Sequence, residues 1–442
     1  MRRTRSGLLL AALLALPLLG ACTDDQSPIE PVVPAAGGEL FQRYVAIGNS
    51  ITAGFVSGGI TGASQAQAYP VLLAARAGAD FSFARVGGRG CVPPYRGPFL
   101  FDTVRVGPGA TSQTCDLLAT PAPALVNNLA VPGATLSDAL NRNRPANPLS
   151  SLFLGGRSQV ERMVEAQPSL VTVYLGNNDV LGGAGAGDTT RLTPAARFAA
   201  QVDSLVTYLK MTPAGQGGDG HDVVILGIAP FPALLQPGAY FFAQYASDPV
   251  GFQARTGKTV NANCAPAPGN PFAASLVSLA IFGQPAIPQI DCDGITGLTT
   301  DFVLTPTETN TLIQRVIAYN TALQSAATAN GWTYVDVNVV LGGAGTTPAN
   351  LRARVPAERF RLCQGLATAA TPAEIQAAVL TTCPAPTPAN AVYAPGSAAY
   401  ASFFGTWLTF DAVHPDVEFQ NAVAAAIATA LNAKHGLSIP TS

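Results

Sequence analysis

Charge is what this chain of 442 residues has least of. Only 11% of its residues are Asp, Glu, Lys or Arg, and the net charge is −2. There is no Lys/Arg run and no basic stripe, which excludes the electrostatic footprint of a nucleic-acid binder. Low charge combined with 48% apolar residues also excludes a disordered chain. Histidine is scarce, with three in the chain. No H-E-x-x-H and no C-x-x-C occurs, so the common zinc signatures are missing, and neither a metal nor a cofactor is expected. Gly257-Lys258-Thr259 is not a phosphate loop, because the upstream glycine position holds Phe252. The run Gly182 to Gly187 lacks dinucleotide-binding spacing and is expected as a flexible loop.

What the chain does have begins at its start. Arg2, Arg3 and Arg5 precede an apolar stretch, Leu8 to Leu19, that is short for a membrane span and flanked like a secretory signal. Leu19-Gly20-Ala21-Cys22 resembles the lipobox of bacterial lipoproteins. That resemblance implies removal of residues 1–21 and a lipid on Cys22, anchoring the protein to a membrane. Thr23 stands where inner-membrane lipoproteins carry Asp, which implies the outer membrane of the cell envelope. An ordinary signal peptide with an incidental cysteine is the alternative. Residues 22–40, rich in Pro, Asp and Gly, read as a flexible tether. Lipidation would leave six cysteines, which fall as neighbours: Cys91 and Cys115, Cys264 and Cys292, Cys363 and Cys383. Local disulfides are the simplest connectivity in an exported chain, with reduced buried thiols as the alternative.

From residue 41 onward, strand and helix signals alternate, which argues for a parallel sheet covered on both faces. Strands are expected at 44–48, 170–175, 222–228 and 332–337, with a further short apolar segment at 125–131. Helices are expected at 66–77, 158–165, 194–211, 307–330 and 416–434, the last with Pro415 in its first turn. Stretches near 82–122, 232–302 and 340–405 fit no element and read as insertions in one α/β domain, residues 41–442.

The strand Tyr44-Val45-Ala46-Ile47 breaks into Gly48-Asn49-Ser50, placing a serine at the carboxyl edge of a sheet. Asp411-Ala412-Val413-His414 puts a carboxylate and an imidazole three residues apart. A serine, a histidine and a carboxylate are the material of nucleophilic acyl transfer. Between them lie Asn128 to Gly133 and Gly176-Asn177-Asn178-Asp179. Four such segments in this order resemble the SGNH hydrolase superfamily, the GDSL lipases and esterases, in its bacterial lipoprotein branch. The resemblance implies a three-layer α/β/α, flavodoxin-like fold with about five parallel strands. It implies cleavage of carboxylic esters of small molecules or lipids through an acyl-enzyme at Ser50. His414 would be the base, Asp411 its partner, and Ser50, Gly133 and Asn178 the oxyanion hole. One departure stands out: the family usually reads Gly-Asp-Ser, and this chain has Asn49.

Each residue also has a plainer reading. Ser50 alone would make a good helix cap, Gly133 after Pro132 a turn, and Asn178 a turn residue with Asn177 as the competing donor. His414-Pro415 could open a helix, Asp336 reads as structural, and His221 and His435 show no partner pattern. Two further functions stay open, an O-deacetylase of polysaccharides and a catalytically lapsed lipoprotein that binds a lipid or partner.

Overall fold

Five-residue runs such as Tyr44–Gly48 have no polar face to leave in water, so they need cover on both sides. In the computed structural model, which describes residues 36–97, 104–141, 148–229, 236–265, 275–340, 407–409, 411 and 413–442, these runs are buried strands. β1 (Tyr44–Gly48), β2 (Leu170–Tyr174), β3 (Asp222–Leu226) and β4 (Thr333–Val335) form a parallel sheet in that order. The segment 127–131 lies along the other side of β1. Ala46 N–H donates to Asn127 O at 2.9 Å, and Leu129 and Val131 N–H donate to Ala46 O and Gly48 O at 2.8 and 3.2 Å. This segment takes the fifth position expected from the sequence. The chain therefore passes from one side of β1 to the other, which opens a crevice beyond the carboxyl end of β1.

Helices α1 (Ser50–Ala53), α2 (Tyr69–Ala77), α3 (Leu136–Leu140), α4 (Gln159–Ala166), α5 (Asn177–Ala186), α6 (Ala195–Leu209), α7 (Pro306–Ala329) and α8 (Val417–His435) surround the sheet. Alternation along each strand splits the side chains between two cores. Val45, Ile47, Val171, Val173 and Ile225 share one with Met163 of α4, Phe198 and Leu205 of α6 and Val316 of α7. Tyr44, Ala46, Leu170, Val224 and Leu226 share the other with Leu73 of α2 and Phe419, Val423, Ile427 and Leu431 of α8.

Most element boundaries move by local chemistry. The helix expected from residue 66 starts at Tyr69, because Ala68 is extended and Pro70 occupies the first turn. Strand β3 stops at Leu226, and β4 is confined to Thr333–Val335. There the Asp336 carboxylate accepts the Asn338 N–H at 2.9 Å and turns the chain into the helix Val337–Val340. Helix α8 starts at Val417 with Asp416 as its cap, so Pro415 precedes the helix instead of sitting in its first turn. Gly37 N–H bonds Ala77 O, and Leu40 and Phe41 are buried, so packing begins inside the segment expected as tether.

Two expectations are corrected. The glycine run 182–187 is not a loop; up to Ala186 it belongs to α5. Glycine allows close packing here, since a Cβ on Gly183 would stand 2.6 Å from Leu192 Cδ2 and 2.9 Å from Asp188 O. Within the stretch 232–302, the described residues 236–265 and 275–302 contain regular elements. They include helices Gly238–Ser247 and Pro249–Thr256, the latter capped by Asp248. They also include the strands Gln236–Pro237 and Leu276–Val277, which form a small antiparallel sheet with Val303–Leu304. Thr259–Val260 and Gln289–Ile290 form a parallel pair. Lys258 of the Gly-Lys-Thr triplet is buried there and donates to the carbonyls of Gln284 and Ile287.

Disulfides join Cys91 to Cys115 and Cys264 to Cys292. Residues 1–35 with Cys22, and most of the third insertion with Cys363 and Cys383, lie outside the described residues. Among the described residues, no helix is long and apolar enough to cross a membrane.

Candidate active site

β1 delivers Ser50 directly. The chain leaves Gly48, Asn49 takes an extended conformation, and Ser50 begins α1. The cap is therefore Asn49, whose Oδ1 accepts the Ile51 N–H at 3.0 Å, and the Ser50 side chain is left for other work. This is the acceptor role an aspartate would fill at the same place. The other end of the Asn49 amide, Nδ2, is buried and has no hydrogen-bond partner among the described residues. Two glutamines hold the strand end and α1. Gln159 bonds both backbone groups of Gly48 at 2.8 and 2.9 Å, and Gln420 of α8 donates to Ile51 O at 3.0 Å.

The second half of the site arrives from 364 residues away. Thr409 N–H donates to His414 O at 2.9 Å and closes a short loop in front of α8. His414 Nε2 lies 2.8 Å from Ser50 Oγ, and His414 Nδ1 lies 2.7 Å from Asp411 Oδ2. Serine, imidazole and carboxylate thus form one hydrogen-bonded chain. Phe55 packs its ring 4.7 Å from the imidazole. Asp411 Oδ1 accepts the N–H groups of Val413 and His414 at 3.0 and 2.8 Å, and Oδ2 also accepts the Gly58 N–H at 2.5 Å. Burial pushes this carboxyl's pKa up, but the His414 charge and these hydrogen bonds outweigh burial and hold it below the usual carboxylate range.

The other two segments lie at the carboxyl ends of β1 and β2, one through the Val131 N–H bond to Gly48 O and the other directly after β2. Gly133 is exposed and has φ +81°, a left-handed conformation suited to glycine. Of the two adjacent asparagines, Asn177 is buried at 3% exposure and its Oδ1 accepts the Ala229 N–H at 3.2 Å. Asn178 is half-exposed, and its Nδ2 donates to Ala134 O at 2.9 Å. An amide nitrogen has two hydrogens, so one bond to Ala134 leaves Asn178 a second to donate. Asp179 ties the same two segments from beneath. Its Oδ2 accepts the Leu136 N–H and its Oδ1 accepts the Thr193 hydroxyl, each at 2.9 Å. Burial pushes the Asp179 carboxyl up to about 6.

Residues to which the sequence alone assigned no role include Gly58, Thr409, Phe55 and Asp179. His435, read as partnerless, lies 3.0 Å from the buried Asp222, which Lys434 also reaches at 2.8 Å. That pair joins the end of α8 to the start of β3, away from Ser50. His221 sits by Asp219 O at 3.1 Å. No group of three or more His, Cys, Asp or Glu among the described residues is placed to hold a metal ion.

The sequence profile of the GDSL-like Lipase/Acylhydrolase family matches residues 44–427, which spans β1 to α8 and all four site segments. The chain belongs to the GDSL-like lipase/acylhydrolase family. It is a carboxylic ester hydrolase of that family. No curated protein sequence matches it. Among solved structures it is similar to LAE5, an α/β hydrolase from the metagenome of Lake Arreo, Spain, with 12% identity, 90% of this chain and 96% of that chain covered and a TM-score of 0.34. It is also similar to phospholipase A1 from Streptomyces albidoflavus NA297, with 16% identity, 70% and 84% covered and a TM-score of 0.25. An extracellular lipase from Streptomyces rimosus matches with 14% identity, 76% and 95% covered and a TM-score of 0.26. With scores this low, the family assignment rests on the sequence profile.

Proposed function

We propose that this GDSL-family hydrolase cleaves carboxylic esters through an acyl-enzyme on Ser50. The observation that carries the reading is the continuous chain from Ser50 Oγ through His414 to Asp411, with links of 2.8 and 2.7 Å. A serine hydroxyl is a weak nucleophile until a base takes its proton. His414 Nε2 takes that proton as Oγ bonds to the ester carbonyl carbon. Asp411 accepts from Nδ1–H, which fixes the tautomer that leaves Nε2 free to accept and stabilises the imidazolium as it forms.

The carbonyl oxygen becomes an oxyanion, and its donors are the N–H groups of Ser50 and Gly133 and the Asn178 side-chain amide. As the carbon–oxygen bond breaks, Nε2–H protonates the departing alkoxide. Water then attacks the acyl-enzyme with His414 again as base, releasing the acid and restoring Ser50. Cys22 after Leu19-Gly20-Ala21 supports a lipid anchor in the cell envelope, with the outer membrane as its site.

The test is a p-nitrophenyl ester series of increasing acyl length, with acetylated sugars beside it. Wild type is compared with Ser50→Ala and His414→Ala. Activity lost in both variants is the expected result, and the profile assigns lipase, esterase or deacetylase. Full activity in Ser50→Ala sinks the reading. A well-folded wild type inert on every ester would favour a lapsed, binding role.

A further inference from the structure

The Asp411 carboxylate has a donor outside its own loop, Gly58, 353 residues away. Gly58 sits at the tip of a two-residue hairpin. Val56 N–H bonds Gly59 O at 2.8 Å, and Gly59 N–H bonds Val56 O at 2.9 Å. Both tip residues are left-handed, Ser57 at φ +50° and Gly58 at φ +70°. Such a turn suits hairpin twist, but a non-glycine residue there needs support from its surroundings.

Support comes from two sides: Ser57 N–H donates to Thr409 Oγ1 at 2.8 Å, and the insertion closed by the Cys91–Cys115 disulfide packs on the tip. Tyr95 N–H donates to Ser57 O at 2.7 Å. The Tyr95 ring lies against the tip so closely that a Cβ on Gly58 would stand 2.4 Å from Tyr95 Cε2. Arg105, 9% exposed, holds its guanidinium 4.2 Å from the centre of that ring. A single nitrogen of Arg105, Nη1, donates to Gly58 O at 2.8 Å and to Pro93 O at 2.7 Å. The peptide group whose carbonyl Arg105 holds follows the Gly58 N–H that meets Asp411 Oδ2, the oxygen bonded to His414 Nδ1.

We infer that Arg105 is a positioning residue for the catalytic carboxylate: it clamps the Gly58 tip so that its N–H stays on Asp411. The inference rests on the serine-hydrolase reading above. If the tip drifts, Asp411 loses a charge-assisted hydrogen bond and with it part of the fixed direction it gives His414. The effect falls on the chemical step and leaves substrate binding alone.

The experiment compares kcat and KM on the best p-nitrophenyl ester for wild type, Arg105→Met, Arg105→Lys, Gly58→Ala and Arg89→Ala. Arg105→Met keeps the stem and removes both donors. It is expected to lower kcat roughly tenfold with KM nearly unchanged. Arg105→Lys should recover part of the kcat lost in Arg105→Met, because one ammonium can serve both carbonyls but loses the planar contact with the Tyr95 ring. Gly58→Ala, which drives a Cβ into Tyr95, should lose kcat as Arg105→Met does, and it serves if Arg105→Met fails to fold. Arg89→Ala breaks an exposed ion pair with Asp116 and a bond to Pro108 O in the same insertion, neither of which reaches Gly58, and should leave kcat unchanged.

Full kcat in Arg105→Met or Gly58→Ala overturns the inference. So does failure of lysine to rescue, or an equal loss in Arg89→Ala, which would mean general loosening. The low-field proton resonance between His414 Nδ1 and Asp411 gives a reading that needs no substrate. It should shift or broaden in Arg105→Met. If wild type hydrolyses no ester, the functional reading fails, and an unchanged resonance overturns the clamp separately.

Discussion

Asp411→Asn removes a charge and nothing else in size, and the geometry around the carboxylate makes its effect calculable. Oδ1 faces two backbone donors, Val413 and His414 N–H, at 3.0 and 2.8 Å. Oδ2 faces two more, Gly58 N–H at 2.5 Å and His414 Nδ1 at 2.7 Å. An asparagine has one oxygen for these two pairs. If its NH2 replaces Oδ1, two backbone donors lose their acceptor. If it replaces Oδ2, it meets the Gly58 N–H and forces His414 into the tautomer with hydrogen on Nε2. That tautomer cannot take the Ser50 proton. Loss of the correct tautomer costs about 10,000-fold in turnover in serine–histidine–carboxylate systems, or about 5 kcal/mol of barrier. The assay is kcat on a p-nitrophenyl ester, with thermal unfolding to show that the variant is folded. A folded Asp411→Asn enzyme within tenfold of wild type would refute the reasoning.

Three further outcomes follow from the same geometry. Asn178→Ala should lower kcat roughly 100- to 1000-fold with little change in KM, and an Asn177→Ala variant more damaged in kcat at equal stability would reassign the donor. Asp179 has a pKa raised from 3.8 to about 6, so the folded state prefers it protonated and its stabilising contribution is lost as pH rises through about 6. Asp179→Asn should therefore gain stability relative to wild type between about pH 4 and 7, by up to about 3 kcal/mol, and urea melts with a pH-independent difference would contradict this. Asn49→Asp keeps the acceptor for Ile51 N–H and adds a charge that opposes the oxyanion but favours the imidazolium. Its kcat/KM should stay within about tenfold of wild type on the same esters, and a change of reaction type would show that Asn49 does more than cap α1.

The parts of the site that short stretches of sequence encode were legible. Gly48-Asn49-Ser50 follows an apolar strand and Asp411 precedes His414 by one loop, so each announces itself within a few residues. The sheet was legible for the same reason, since buried parallel strands are continuous apolar runs. The support of the site was not. Gly58 meets Asp411 across 353 residues and Asp179 meets Leu136 across 43, and neither contact leaves a local pattern. His435 and Asp222 pair across 213 residues for a purely structural purpose. Composition misled at 182–187, where glycine provides close packing inside α5, and at 232–302, where Asp248 and Pro249 start a helix in a Pro/Gly-rich stretch. Local periodicity did not choose between Asn177 and Asn178 either. In the fold Asn177 is buried with its Oδ1 on the Ala229 N–H, and Asn178 is half-exposed with its Nδ2 on Ala134 O.

The central claim is that Ser50 carries the acyl group. It is tested most directly by treating the folded protein with a fluorophosphonate, measuring the intact mass and mapping the modified peptide. The account predicts one adduct, on Ser50, formed in step with loss of esterase activity and absent in His414→Ala on the same timescale. An adduct on another residue, or full esterase activity with Ser50 completely modified, would contradict it.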